Sequence, residues 1–146
     1  MTVRPGRRVA VNVPVKPLRV KHSTYKVSST LNKEARKARE LHTSVHKAVS
    51  EVATQLETTG QADLKTTRKL ASSMVDSVVR NPDAFAWLAE VRSKDEHIYS
   101  HCVRAAVWAI IFGRHIGLSE MDMTCLAQAV LLKDCLLYTS PSPRDA

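Results

Sequence analysis

Aromatic residues are scarce in this 146-residue chain, with two Trp, three Tyr and two Phe. A surface that stacks single-stranded nucleic acid needs several of them among basic residues, so specific nucleic-acid binding of that kind is not expected. Cysteine is equally thin, at three residues. No paired framework appears, which excludes a disulfide scaffold and points to a reducing, intracellular setting. Cys102 and Cys125 fall within apolar helical patterns and read as small core residues. Long hydrophobic runs are missing too. The longest unbroken one, Ala105 to Phe112, is too short to span a bilayer, and the N-terminus has basic residues without an apolar signal core. A soluble cytoplasmic protein is the expectation.

Acid is absent from the first 26 residues, which carry Arg4, Arg7, Arg8, Lys16, Arg19, Lys21 and Lys26. These seven cations account for most of the chain's net charge of +8, and the remainder is nearly neutral. Such an arm attracts phosphates or anionic lipid without specificity, and it reads first as a solvated linker. Pro5, Gly6, Pro14 and Pro17, with Val9, Val11, Val13 and Val15 alternating between them, predict an extended arm over residues 1 to 30 with one short strand.

From Leu31 the period changes. Leu31, Ala35, Ala38, Leu41, Val45, Val49, Val52 and Leu56 recur at three- and four-residue spacing and predict a long helix ending near Gly60. Such a helix suits packing on its own domain, or service as a stalk or dimer helix. Asp63 is placed to cap a second helix carrying Leu64, Leu70, Met74, Val75 and Val78. Asn81-Pro82 stops it and starts a third, with Phe85, Leu88 and Val91 on its apolar face and Trp87 a candidate to join them. A polar break at Ser93 to Glu96 precedes a fourth helix, which stops at Gly117. Ser119 then caps a fifth, with Met123, Leu126, Ala127, Val130 and Leu131 inward. The fold class is therefore all-α, with no strand after residue 30 and no internal repeat.

The most informative stretch is HIYSHCVRAAVWAIIFGRHIGLSEMDMTCLAQAVLLKD, residues 97 to 134. His97 and His101 stand one turn apart on one helix face, a spacing that suits a divalent metal. A lone helical histidine is more often a hydrogen-bonded core residue than a ligand, and the surrounding pattern is what shifts the balance. Tyr99, His101 and Ala105, the Gly117-Leu118 turn and the end Leu131-Leu132-Lys133-Asp134 together resemble the opening of the HD-GYP family of metal-dependent phosphohydrolases. The similarity is weaker upstream, resting there on helix order and the Asn81-Pro82-Asp83 helix start.

The resemblance implies a helical bundle of HD-domain type whose family activity is hydrolysis of the second messenger cyclic di-GMP. It implies His101 as a terminal ligand and Asp134 as the bridging ligand of a divalent metal centre, iron or manganese in view of the nitrogen and oxygen donors. His97 stands where some members place a glutamate for an additional metal. The departure is Lys133, which occupies the motif's histidine position. A protonated lysine has no lone pair to offer and repels a nearby metal.

Cys135 to Ala146, CLLYTSPSPRDA, resembles the in-frame translation of a transposase adapter and is expected to be a poorly packed tail. The organisation expected is thus a basic linker over residues 1 to 30, a helical region preceding the HD core over 31 to 93, the start of an HD-GYP domain over 94 to 134 and the tail over 135 to 146. The parent protein is expected to be longer, and the chain as it stands inactive. Its partners would be cyclic di-GMP and a homodimer or signalling partner met through the helix over residues 31 to 59. The alternatives are a degenerate HD-GYP or other HD-type signalling module that binds a nucleotide or partner without catalysis, and, last, a basic helical nucleic-acid adaptor.

Overall fold

The computed structural model describes residues 23 to 91 and 98 to 139, with side chains for all of these except residues 91, 98, 99 and 135 to 139. Five helices follow one another, α1 Leu31–Thr59, α2 Lys65–Arg80, α3 Pro82–Val91, α4 Ile98–His115 and α5 Glu120–Thr139. No strand occurs among the described residues, and the all-α expectation holds. The Val9–Val15 strand and the polar break at Ser93–Glu96 lie outside them. Among the described residues, no helix is long and apolar enough to cross a membrane.

Local chemistry sets the helix boundaries. Gly60 ends α1 with φ 71°, a left-handed conformation that costs glycine little, and its N–H closes on the Leu56 carbonyl. The Asp63 carboxylate accepts the Lys65 N–H at 2.9 Å, so it satisfies one of the orphan amides at the start of α2. Asn81 Oδ1 accepts the Asp83 N–H at 3.0 Å at the head of α3, with Pro82 at the first helical position, where its missing donor is harmless. Ser119 Oγ accepts the Asp122 N–H at 3.1 Å and donates to the Asp122 carboxylate at 2.8 Å. All the capping residues legible in the sequence act as caps.

The helices bury one continuous core. It contains Val45 and Val49 from α1, Met74 and Val78 from α2, Phe85 and Leu88 from α3, Val103, Val107 and Ile110 from α4, and Met123, Ala127 and Leu131 from α5. Burying a side chain the size of Phe85 contributes about 2–3 kcal/mol each. α1 packs against all four other helices, so its apolar face is used inside the chain. α4 and α5 pack most extensively and run antiparallel: Gly113, near the end of α4, meets Met123 in the second turn of α5, where an added Cβ would lie 3.0 Å from Met123 Cγ. The absent side chain is what lets the hairpin close.

Several expectations need correction. Trp87 is 49 % exposed and does not join the α3 face, because Ala84, Phe85, Leu88 and Ala89 already fill the inward positions. Leu64 is 43 % exposed, since it precedes α2 rather than lying on its inner face. Cys125 is exposed, and of these two cysteines Cys102 is the one in the core. The backbone of α5 runs on past Asp134 to Thr139, as no helix-breaking residue interrupts Cys135 to Thr139. The later part of the arm is no loose linker either. The Ser23 N–H donates to the Gly117 carbonyl at 2.9 Å, the Ser28 N–H to the Arg80 carbonyl at 2.9 Å, and Tyr25 Oη to the Leu118 carbonyl at 2.6 Å. Arg114 Nη2 donates to the Tyr25 carbonyl at 3.1 Å. Residues 23 to 30 thus form a strap across the ends of α2 and α4.

One buried charge went unread in the sequence. Glu34 lies on the inner face of α1 with no exposed surface. Its carboxylate accepts Arg80 Nη2 at 2.8 Å and Ser77 Oγ at 2.8 Å, both from the last turn of α2. Burial raises its pKa, but the hydrogen bonds from Arg80 and Ser77 outweigh that and hold it at about 2, below the ordinary 4.5. A carboxyl depressed on folding stabilises the fold fully above its unfolded value, and that contribution is lost as pH falls from about 4.5 through about 2. Denaturant titrations across that window should therefore show a falling midpoint, and the fall should shrink in Glu34→Gln. Arg80→Ala leaves a buried carboxylate without its cation and should cost about 3 kcal/mol at neutral pH. Tyr25→Phe, which removes one strap hydrogen bond, should cost about 1 kcal/mol.

Candidate functional site

Antiparallel pairing of α4 and α5 brings the start of one against the later part of the other, and with them the two residues singled out as ligands. His101 is the fourth residue of α4 and is exposed. Cys102, the next residue, points inward and is 1 % exposed. Its Sγ donates to Asp134 Oδ2 at 3.5 Å across the α4–α5 contact, which places Asp134 one residue from the level of His101. His97 lies outside the described residues.

Asp134 is partly buried, its side chain 17 % exposed. Lys133 Nζ lies 2.9 Å from both of its carboxylate oxygens. This ion pair lowers the Asp134 pKa below the ordinary carboxylate value; burial opposes the shift, while the Cys102 hydrogen bond and the charges of Lys133 and His101 add to it. Lys133 lies along its neighbour at the surface, its side chain 49 % exposed.

Among the described residues the donor set does not fit a dinuclear metal centre. Of the positions carried over from the resemblance, His101 is exposed and Asp134 has both carboxylate oxygens engaged by an ammonium. Among the described residues no group of three His, Cys, Asp or Glu side chains is arranged to hold a metal. A cavity of about 370 Å³ lies between the end of α1, the α1–α2 turn and α5, lined by Val52, Leu56, Leu64 and Leu132 among others. None of its lining residues is titratable, so it adds no ligand.

The contact of Cys102 with Asp134 was not visible in the sequence. Its only signal there was an apolar-side cysteine next to the candidate histidine, and the pairing depends on how two helices dock. Comparison with protein-family models, with curated proteins and with solved structures finds no match.

The different settings of the two described cysteines are directly measurable. Thiol alkylation of the native protein, read by peptide mass spectrometry, should modify Cys125 quickly and leave Cys102 protected until the α4–α5 contact opens. Equal rates at the two positions would contradict this packing.

Proposed function

We propose that this chain is the opening part of an HD-type signalling module of the cytoplasm, and that in these 146 residues it does not hydrolyse cyclic di-GMP. The observation that carries the reading is the α4–α5 hairpin. It carries the histidine of the Tyr99-x-His101 pattern and the aspartate of the Leu131-Leu132-x-Asp134 pattern on adjoining helices, joined through the Gly117 turn. Adjoining helices for these two positions support the reading, and Lys133 at the motif's histidine position departs from it. Cyclic di-GMP is the ligand class the same resemblance supplies, with iron or manganese as the metal of a complete centre.

The ion pair at Asp134 favours the non-catalytic version, in which the module binds a nucleotide or a signalling partner without turning it over. In-line attack on a phosphodiester at neutral pH calls for an activated hydroxide and clamped phosphate oxygens. His101 and an aspartate already paired with lysine do not supply them.

The test is to incubate the purified chain and its Lys133→His variant with cyclic di-GMP and manganese or ferrous iron, resolving the linear dinucleotide by chromatography. Neither protein should give turnover, because one added imidazole still leaves too few donors for two metals. Turnover by either would remove the non-catalytic reading. Calorimetric titration of the same samples with cyclic di-GMP reports binding separately, and heat without turnover is the signature of a binding module.

A further inference from the structure

We propose that the Lys133 ammonium is a built-in surface counter-ion to Asp134, so that the corner formed by Cys102, Lys133 and Asp134 is held by an ion pair in the place of a metal. The proposal rests on the HD-type reading only for what Lys133 stands in for. The ion pair itself rests on geometry.

Neighbouring residues on a helix diverge by about 100° and do not ordinarily face each other. For Lys133 Nζ to sit 2.9 Å from both oxygens of Asp134, the lysine stem must bend round the helix surface, where it stays 49 % exposed. The reason lies in what Asp134 lacks. Its side chain is largely shielded, at 17 % exposure, and among the described side chains of α4 the one hydrogen bonded to it is the Cys102 thiol at 3.5 Å, which is a weak donor. A shielded carboxylate held by a weak donor costs folding free energy, and a cation laid across both oxygens offsets that cost.

Lysine and a divalent ion compete for the same lone pairs, and their charges repel at a few ångströms. The fold is therefore indifferent to metal while the ammonium is in place. Removing the charge frees a carboxylate beside His101 and turns the corner into a weak metal site.

Thermal unfolding of the full chain in chelator and in millimolar manganese, with free manganese followed by electron paramagnetic resonance, tests this. The wild-type Tm should be the same in both conditions. Lys133→Met keeps the stem and removes the charge; its Tm in chelator should fall by about 2–4 °C. Manganese should restore that loss, and the variant should bind the ion on the order of tenfold more tightly than wild type. A manganese-dependent rise in the wild-type Tm, or a Lys133→Met protein unchanged in stability and in manganese binding, would overturn the proposal. Should Lys133→Met fail to fold, Lys133→Arg decides: it retains a cation and should match wild type in both readouts, whereas manganese binding by it counts against the idea. Cyclic di-GMP enters neither readout, so failure of the functional reading and failure of the ion pair are distinguishable.

Discussion

The close approach of α4 and α5 is the constraint on which the candidate site depends. Gly113 has no side chain to keep Met123 away, and Gly117, at φ 78°, turns the chain within a few residues so that the second helix returns along the first. With that hairpin closed, Val103, Val107 and Ile110 meet Met123, Ala127 and Leu131 in one shared core. Cys102 then reaches Asp134. Loosening the hairpin would separate the two sequence motifs that give this chain its functional interest.

Around the apolar core, a small number of polar contacts fix how the other elements are seated. Glu34 joins the start of α1 to the end of α2 through Arg80 and Ser77. The strap over residues 23 to 30 joins the end of α2 to the α4–α5 turn, and its hydrogen bonds fall on the carbonyl of Arg80 at the end of α2 and on those of Gly117 and Leu118 in the turn. Carbonyls at such positions lack intrahelical partners, and the strap supplies donors to them. The Glu34 carboxylate is buried while the Arg80 side chain is 39 % exposed, and such a pair adds little net stability over well-packed apolar side chains.

Lys133 is a surface lysine, its side chain 49 % exposed. Half-exposed ion pairs contribute little to stability on their own, and this one engages both oxygens of Asp134. An aspartate engaged on both oxygens is a poor bridging ligand, and His101 beside it is exposed.

Much of the fold was legible in the residues. The three- and four-residue spacing from Leu31 onward, Asp63, Asn81-Pro82 and Ser119 as caps, and Gly60 and Gly117 as stops are all local signals, because a helix is built from contacts within a few residues along the chain. The burial of Glu34 and the exposure of Trp87 were not legible, since each depends on which face of a helix meets a neighbour and on what that neighbour offers. The fate of residues 23 to 30 was hidden for a related reason, as their partners lie more than 50 residues away. For the candidate site the division is the same: sequence alone determined the residue types, His101 and Asp134 with Lys133 between motif and aspartate, and the helices that carry them. Only the tertiary structure decided that Cys102 faces Asp134 and that Lys133 bends onto it, because electrostatic pairing acts through space, at distances the order of residues does not encode.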